Sequence, residues 1–178
     1  MNKGLTIREY LDADFDSVTI LWRVAREKSL PDFQRGKGHF FFEDRDYFQD
    51  RILKANKVWV AVMNNRIAAF MAMENECIDQ LYVHPDFWRQ GIGDALLAHA
   101  RRISPLHVWL YTLQINVNAR AFYEKHGFVA EKFGTSPPPE SEPDVEYHWR
   151  NNRKSQIANP SEHDPYSPWK NPNGFRNS

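Results

Sequence analysis

The residues best suited to chemistry lie between Leu81 and Phe128. The segment QLYVHPDFWRQGIGDALLAHARR, residues 80–102, reads as a strand, a glycine-bearing loop and a helix. The start of a helix presents backbone N–H groups without intrahelical acceptors and a partial positive charge. A phosphate can sit there when the backbone can come close to it. Gly91 and Gly93 remove the side chains that would block that approach, and Arg89 adds a cation at the mouth. Arg89, Gln90, Gly91, Ile92, Gly93 and Asp94 are therefore candidates for a phosphate or pyrophosphate cradle. The same glycines equally suit a tight turn or close helix packing. No lysine followed by serine or threonine comes after them, as a nucleoside triphosphate loop requires. The third glycine of the dinucleotide fingerprint is missing too.

Other reactive side chains are close by. Cys77 is the single cysteine, so it cannot form an intramolecular disulfide. As an acyl-carrying nucleophile it would need a lowered pKa, and no His or cationic residue adjoins it in sequence. A buried, inert thiol on an apolar strand is its simpler reading. Glu74, Glu76 and Asp79 lie on or just before the same strand, and period two puts Asp79 on the face shared by Leu81 and Val83. His84 precedes a proline and reads as a turn residue, while His99 and His126 fall on helices.

The elements that must hold these groups emerge from periodicity. Leu5 and Ile7 open a first strand that runs toward Tyr10. Asp12 to Ser29 is a helix with Phe15, Val18, Trp22 and Ala25 at helical spacing, capped by Asp12 or Asp14. Residues 31–43 form a loop displaying Phe40, Phe41 and Phe42. Asp44 to Ala55 is a second helix with Phe48, Ile52 and Ala55 on one face. The runs 58–63 and 67–73 flank Asn64-Asn65, a pair suited to a tight hairpin turn. The next strand is 77–83. A helix over 91–103 buries Ile92, Leu96, Ala100 and Ile103. A strand spans 107–113, and a short helix capped by Asn116 or Asn118 runs to His126. Gly127 stands where a left-handed terminator belongs. Strands 128–133 and 144–150 complete an α/β fold. Residues 1–150 make one domain, and 151–178 form a tail rich in Asn, Pro and Ser with almost no aliphatic residues to bury.

Bulk properties narrow the function classes. Lysine plus arginine and aspartate plus glutamate both number 23, so the formal charge is zero. Nothing draws the chain toward nucleic acid or an anionic membrane. No apolar run approaches the roughly 18 residues of a membrane span, and the N-terminus turns acidic where a signal peptide needs apolar residues. The expectation is a reduced, cytoplasmic protein. Clustered Cys/His metal spacing is absent, so no metal is expected. The choice between monomer and homodimer stays open.

A second unit joins the first. NVNARAFY at 116–123, followed by Gly127-Phe128, places an asparagine-led helix after the strand 107–113. Together with WRQGIG at 88–93, this resembles the GNAT superfamily of N-acetyltransferases. The family loop reads Gln/Arg-x-x-Gly-x-Gly/Ala. Its later helix reads Asn-x-x-Ala-x-x-Phe/Leu-Tyr before a Gly-Phe pair. Trp88 departs from the pattern, standing where Gln or Arg is usual.

The resemblance implies a mixed, mostly antiparallel sheet of six or seven strands with helices on both faces. It implies acetyl-CoA as co-substrate and a primary amine, small-molecule or peptide, as acceptor. The backbone of Leu81, Tyr82 and Val83 would hold the pantetheine arm, with an N–H near Leu81 polarising the thioester carbonyl. Asn116 would bond the pantetheine or cap its helix. Tyr123 would protonate the departing thiolate, or simply pack its ring with the hydroxyl in solvent. An acceptor amine must lose a proton, and Asp79 is the preferred base among the carboxylates. Arg120 and Glu124 read as a surface salt bridge. Phe40 to Phe42 would wall the acceptor pocket or plug the core. The rival reading is a CoA-binding sensor or interaction module without catalysis, which Trp88 keeps open.

Overall fold

The computed structural model describes residues 4–31, 40–137 and 141–151. The tail beyond Asn151 and most of the loop expected at 31–43 lie outside the described residues. Among the described residues, seven strands, mostly antiparallel, and four main helices make the fold α/β, at the upper end of the expected strand number. The chain forms two compact units divided between Val108 and Trp109, a finer partition than the single domain expected over 1–150.

The first unit holds β1 (Leu5–Glu9), β2 (Lys57–Met63), β3 (Arg66–Glu74) and β4 (Cys77–Val83) as successive antiparallel neighbours. Asn64 and Asn65 take φ of 50° and 58°, the left-handed pair that a tight hairpin needs. Helix α1 (Phe15–Ser29) covers one face. Its Val18, Leu21, Trp22 and Ala25 join Val58, Val60, Phe70 and Ala72 in one core. Helix α3 (Ile92–Ile103) packs on β3 and β4 as well. Alternation turns Trp59 away from Val58 and Val60, and there it meets His99 of α3 at 5.5 Å between rings. Helices therefore cover both faces of this unit. Ala68 to Met73 is buried without interruption, as a strand covered on both sides requires. Ile103, expected on the buried face of α3, is 41 % exposed, whereas Leu97 is buried.

Two helix starts differ from the sequence expectation. Asp12–Asp14 is a 3-10 turn, and α1 begins at Phe15. Asp14 does not cap α1. Its carboxylate accepts the Leu11 N–H at 2.9 Å and two Arg8 nitrogens at 2.6 and 2.8 Å. Helix α2 (Phe41–Tyr47) starts three residues before the expected Asp44, because Glu43 reaches back to the Phe40 N–H at 2.7 Å. It continues as a π-helical turn, Phe48–Ile52, in which the Leu53 N–H donates to the Phe48 carbonyl, and ends at Leu53–Ala55. The wider turn rotates the segment after it, so Phe48 and Ile52 are buried while Ala55 is exposed.

In the second unit β5 (His107–Leu113), which starts at the end of the first, is followed by α4 (Val117–Lys125), β6 (Val129–Thr135) and β7 (Pro143–Arg150). Strands β6 and β7 pair antiparallel. Strand β6 runs two residues past the expected Phe133, with Gly134 and Thr135 facing Asp144 and Pro143. Gly127 closes α4 with φ of 77°.

The Asp14–Arg8 pair carries a pH signature. The bidentate guanidinium holds the Asp14 carboxyl below its usual range. A depressed acid stabilises the fold above its unfolded pKa, near 3.9, and loses that contribution as pH falls through the folded value. Asp14→Asn should lower stability at pH 7 by about 1–2 kcal/mol, a charged hydrogen bond discounted because the Arg8 side chain is 37 % exposed. The deficit relative to wild type should shrink below about pH 4, as read by thermal melts across pH.

Candidate functional site

The glycine loop sits between β4 and α3. The strand ends at Val83, and Pro85–Phe87 forms a single 3-10 turn. His84 opens it, its Nδ1 accepting the Asp86 N–H at 3.2 Å, so the turn role read from the sequence is the observed one. Two left-handed residues then bend the chain, Arg89 at φ 61° and Gly91 at φ 74°. Gly91 takes this conformation at no steric cost, whereas Arg89 does so with a full side chain. The Ala95 N–H donates to the Gly91 carbonyl at 3.1 Å, which makes Gly91 the residue that admits the chain into α3. The first-turn N–H groups of Ile92 and Gly93 precede any intrahelical acceptor. Arg89, Gln90 and Asp94 are exposed, while Ile92 is buried and anchors the helix start.

Side chains of the loop fold back on it. Trp88 Nε1 donates to the Val83 carbonyl at 2.7 Å, and Gln90 Nε2 donates to the Asp86 carbonyl at 3.0 Å. Trp88, the departure from the family loop, thus latches the loop to the end of β4. Sequence reasoning assigned it no such role. An indole donor five residues from a strand end was the available signal.

Strand β4 is irregular where chemistry was expected. Ala72 pairs with Gln80 and Met73 with Ile78, so Asp79 is the extra residue of a β-bulge. The alternation that tied Asp79 to Leu81 and Val83 is interrupted at this point. The Asp79 carboxylate accepts from Asn56 Nδ2 at 3.1 Å, and Asn56 Nδ2 also reaches the Ile52 carbonyl at 3.1 Å. Burial pushes the Asp79 carboxyl above its ordinary value, against the bonds from Gln80 and Asn56. Glu76 is engaged elsewhere, 2.7 Å from His107 Nδ1. Leu81, Tyr82 and Val83 are partly buried, and Tyr82 stacks on Phe70 with ring centroids 5.9 Å apart. Cys77 is buried. Phe40 and Phe42 stack at 5.7 Å yet are 66 % and 60 % exposed, so neither plugs the core.

In the second unit, Asn116 caps α4 by accepting the Ala119 N–H on Oδ1 at 3.2 Å. Tyr123 is only 7 % exposed. Its ring lies 5.7 Å from that of Phe128 and 6.3 Å from that of Tyr147. Arg120 and Glu124 do not form the direct surface bridge expected from their spacing; they meet through Tyr147. The buried Tyr147 hydroxyl donates to Glu124 Oε1 at 2.5 Å and accepts from Arg120 Nε at 3.3 Å. Tyr147 thereby fixes the turn of α4 that carries Tyr123.

The family described as acetyltransferase (GNAT) domain matches residues 54–130, which include the loop, the bulged strand and the Asn116 to Tyr123 helix. Over these residues the chain is similar to the GNAT family of acetyltransferases. It is 30 % identical over 90 residues to the uncharacterized N-acetyltransferase YafP of Escherichia coli, covering 50 % of this chain and 56 % of that one. It is 29 % identical over 122 residues to the peptidyl-lysine N-acetyltransferase YjaB of Salmonella typhimurium, covering 68 % and 70 %. The match thus spans little more than half the length of the YafP relative. Among solved structures, apo YjaB of Escherichia coli superposes with a TM-score of 0.66 at 21 % identity, over 81 % of this chain and 96 % of that one. PaiA N-acetyltransferase of Thermoplasma acidophilum, solved with coenzyme A, gives 0.62 at 16 %, over 83 % and 99 %.

The raised Asp79 carboxyl has a measurable consequence. A buried acid whose folded pKa is raised penalises the fold at and above that pKa and costs nothing below its unfolded value, near 3.9. Asp79→Asn keeps an acceptor for Asn56 and lacks the charge. Its melting temperature should equal or exceed that of wild type at pH 7–8, with the advantage vanishing as pH is lowered. Melts of both proteins from pH 4 to 8 read it directly, and a variant less stable at pH 8 than at pH 4 relative to wild type would contradict the assignment.

Proposed function

We propose that this protein transfers an acetyl group from acetyl-CoA to a primary amine by direct attack. The observation that carries the reading is the entry to α3, where Gly91 in the left-handed region leads into a helix whose first-turn N–H groups have no intrahelical acceptor, next in sequence to exposed Arg89. The CoA pyrophosphate would lie there. In support, the similar PaiA structure is described in complex with coenzyme A. YjaB of Salmonella typhimurium is described as acting on peptidyl-lysine.

The pantetheine would run along Leu81, Tyr82 and Val83, which stay in register with Met71, Phe70 and Ala69 of β3 beyond the bulge at Asp79. An amide of that strand would stabilise the oxyanion formed when the amine nitrogen adds to the thioester carbonyl. Asn116 Oδ1 is taken by the cap, so its Nδ2 is the group assigned to the pantetheine. As the C–N bond forms, the C–S bond breaks and the thiolate takes a proton from the Tyr123 hydroxyl. The proton lost by the amine passes through water to Asp79, whose raised carboxyl sits closer to the operating pH than an ordinary aspartate. Cys77 carries no acyl group in this scheme, since it is buried on β4.

Two substitutions test the assignment. Gly93→Val places a branched side chain in the phosphate path of α3 and should raise the CoA dissociation constant at least about tenfold with the fold retained. Unchanged affinity in a folded variant would remove the cradle. Tyr123→Phe keeps the ring against Phe128 and Tyr147 and deletes one donor. General acid catalysis is worth about 10²–10⁴-fold, and a thiolate leaves readily, so kcat should fall roughly tenfold to a hundredfold with little change in KM for acetyl-CoA. Wild-type turnover with chemistry rate-limiting would make Tyr123 a packing residue.

A further inference from the structure

One face of the second unit carries a polar and aromatic cluster that the acetyl-transfer scheme does not use. Val108 and Leu110 of β5, with Val145 and Tyr147 of β7, are buried, and Tyr147 lies against Tyr123 of α4. Alternation sends Trp109, Tyr111, Glu146 and His148 to the other face. There His148 Nε2 lies 2.6 Å from Glu146 Oε1. The Tyr111 hydroxyl also bonds to Glu146. The Trp109 ring lies nearly parallel to that of His148, 6.1 Å away at 14°, and meets Tyr111 edge-on at 5.4 Å. Glu131, the bulged residue of β6, pairs with Arg150 and stands 3.8 Å from His148 Nε2.

The Glu146 side chain is only 15 % exposed. Among the described residues no lysine or arginine nitrogen lies within ion-pair distance of it; Lys132, opposite in the β6–β7 register, acts on it only through its charge, and His148 pairs with it when protonated. Half-buried carboxylates are ordinarily matched by a cation or a full set of donors. Here two donors from Tyr111 and His148 fix the rotamer, and a carboxylate has about four acceptor positions. We propose that Trp109, Tyr111, Glu146 and His148 form a subsite for an aliphatic primary ammonium, with Glu146 as its counter-ion and the aromatic rings as its walls. A single carboxylate with aromatic walls suits an organic cation through charge-assisted hydrogen bonding and cation–π attraction. A hard metal ion would demand six or more oxygens. Burial pushes the Glu146 carboxyl up, but the bonds from Tyr111 and His148 together with the charges of His148 and Lys132 hold it below its ordinary value, so it binds the ammonium and does not take its proton. Its role as the acceptor subsite rests on the acetyl-transfer reading; the binding itself does not.

The test uses the full chain, ¹⁵N-labelled, with no acyl donor. n-Butylammonium chloride is titrated at constant ionic strength while the Trp109 indole N–H resonance is followed, assigned by its loss in Trp109→Phe. The expected result is a saturable shift with n-butylammonium and none with n-butanol. Glu146→Gln should weaken binding about tenfold to a hundredfold, the loss of a hydrogen bond to a charged group. If Glu146→Gln does not fold, Tyr111→Phe, which deletes one hydroxyl, should weaken binding several-fold. A response shared by n-butanol, no saturable shift, or unchanged affinity in the folded variant overturns the proposal. CoA affinity is measured on the same samples. Ammonium binding without CoA binding sinks acetyl transfer and leaves the subsite standing, whereas CoA binding without a saturable ammonium shift sinks the subsite alone.

Discussion

Both faces of β3 are closed to water, and the first unit is organised around that constraint. Phe70 and Ala72 meet α1, while the intervening residues face the side on which α3 packs. Phe70 also meets Phe48, at 5.6 Å between rings, and Tyr82. A strand this enclosed tolerates little change in side-chain volume. Its neighbour β4 must therefore absorb any irregularity, and the bulge lies there, at Asp79. The glycine loop hangs from the end of β4 and from the buried Ile92, so its position is set by the same packing.

Periodicity and punctuation made most of the fold legible. The Asn64-Asn65 turn, the end of β4 at Val83, the Asn116 cap and the Gly127 terminator each depend on a residue whose backbone preference is strong. The features that escaped were decided by side chains reaching across short distances. Glu43 starts α2 early by bonding the Phe40 N–H, and Asp14 serves Arg8 and Leu11 rather than α1. Neither bond has a periodic signature. A bulge shifts register by one residue and leaves composition unchanged, so Asp79 read as an ordinary strand position.

The candidate site was legible where chemistry demands a particular residue, as at Gly91, and illegible where several residues cooperate. Arg120 and Glu124 suggested a surface pair because helical spacing is local information. The Tyr147 hydroxyl that joins them comes from a strand more than 20 positions away in sequence. The cluster of Trp109, Tyr111, Glu146 and His148 has the same character. Two alternating pairs, one on β5 and one on β7, look like ordinary strand composition until the side chains are seen bonded to one another.

The π-helical turn at Phe48–Ile52 bears on how this chain can vary in length. A five-residue turn holds one residue more than an α-helix would spend on the same path. The surplus is accommodated without displacing Phe48 or Ile52 from the core, and its whole effect is passed on to Leu53–Ala55. Loss of one residue here would convert the turn to α-helix and swing the next segment by about a quarter turn. That segment leads directly to Asn56, whose amide bonds Asp79. An insertion or deletion between Tyr47 and Asn56 would therefore be registered at the bulge of β4, although none of the intervening residues touches it through these bonds except Asn56 itself.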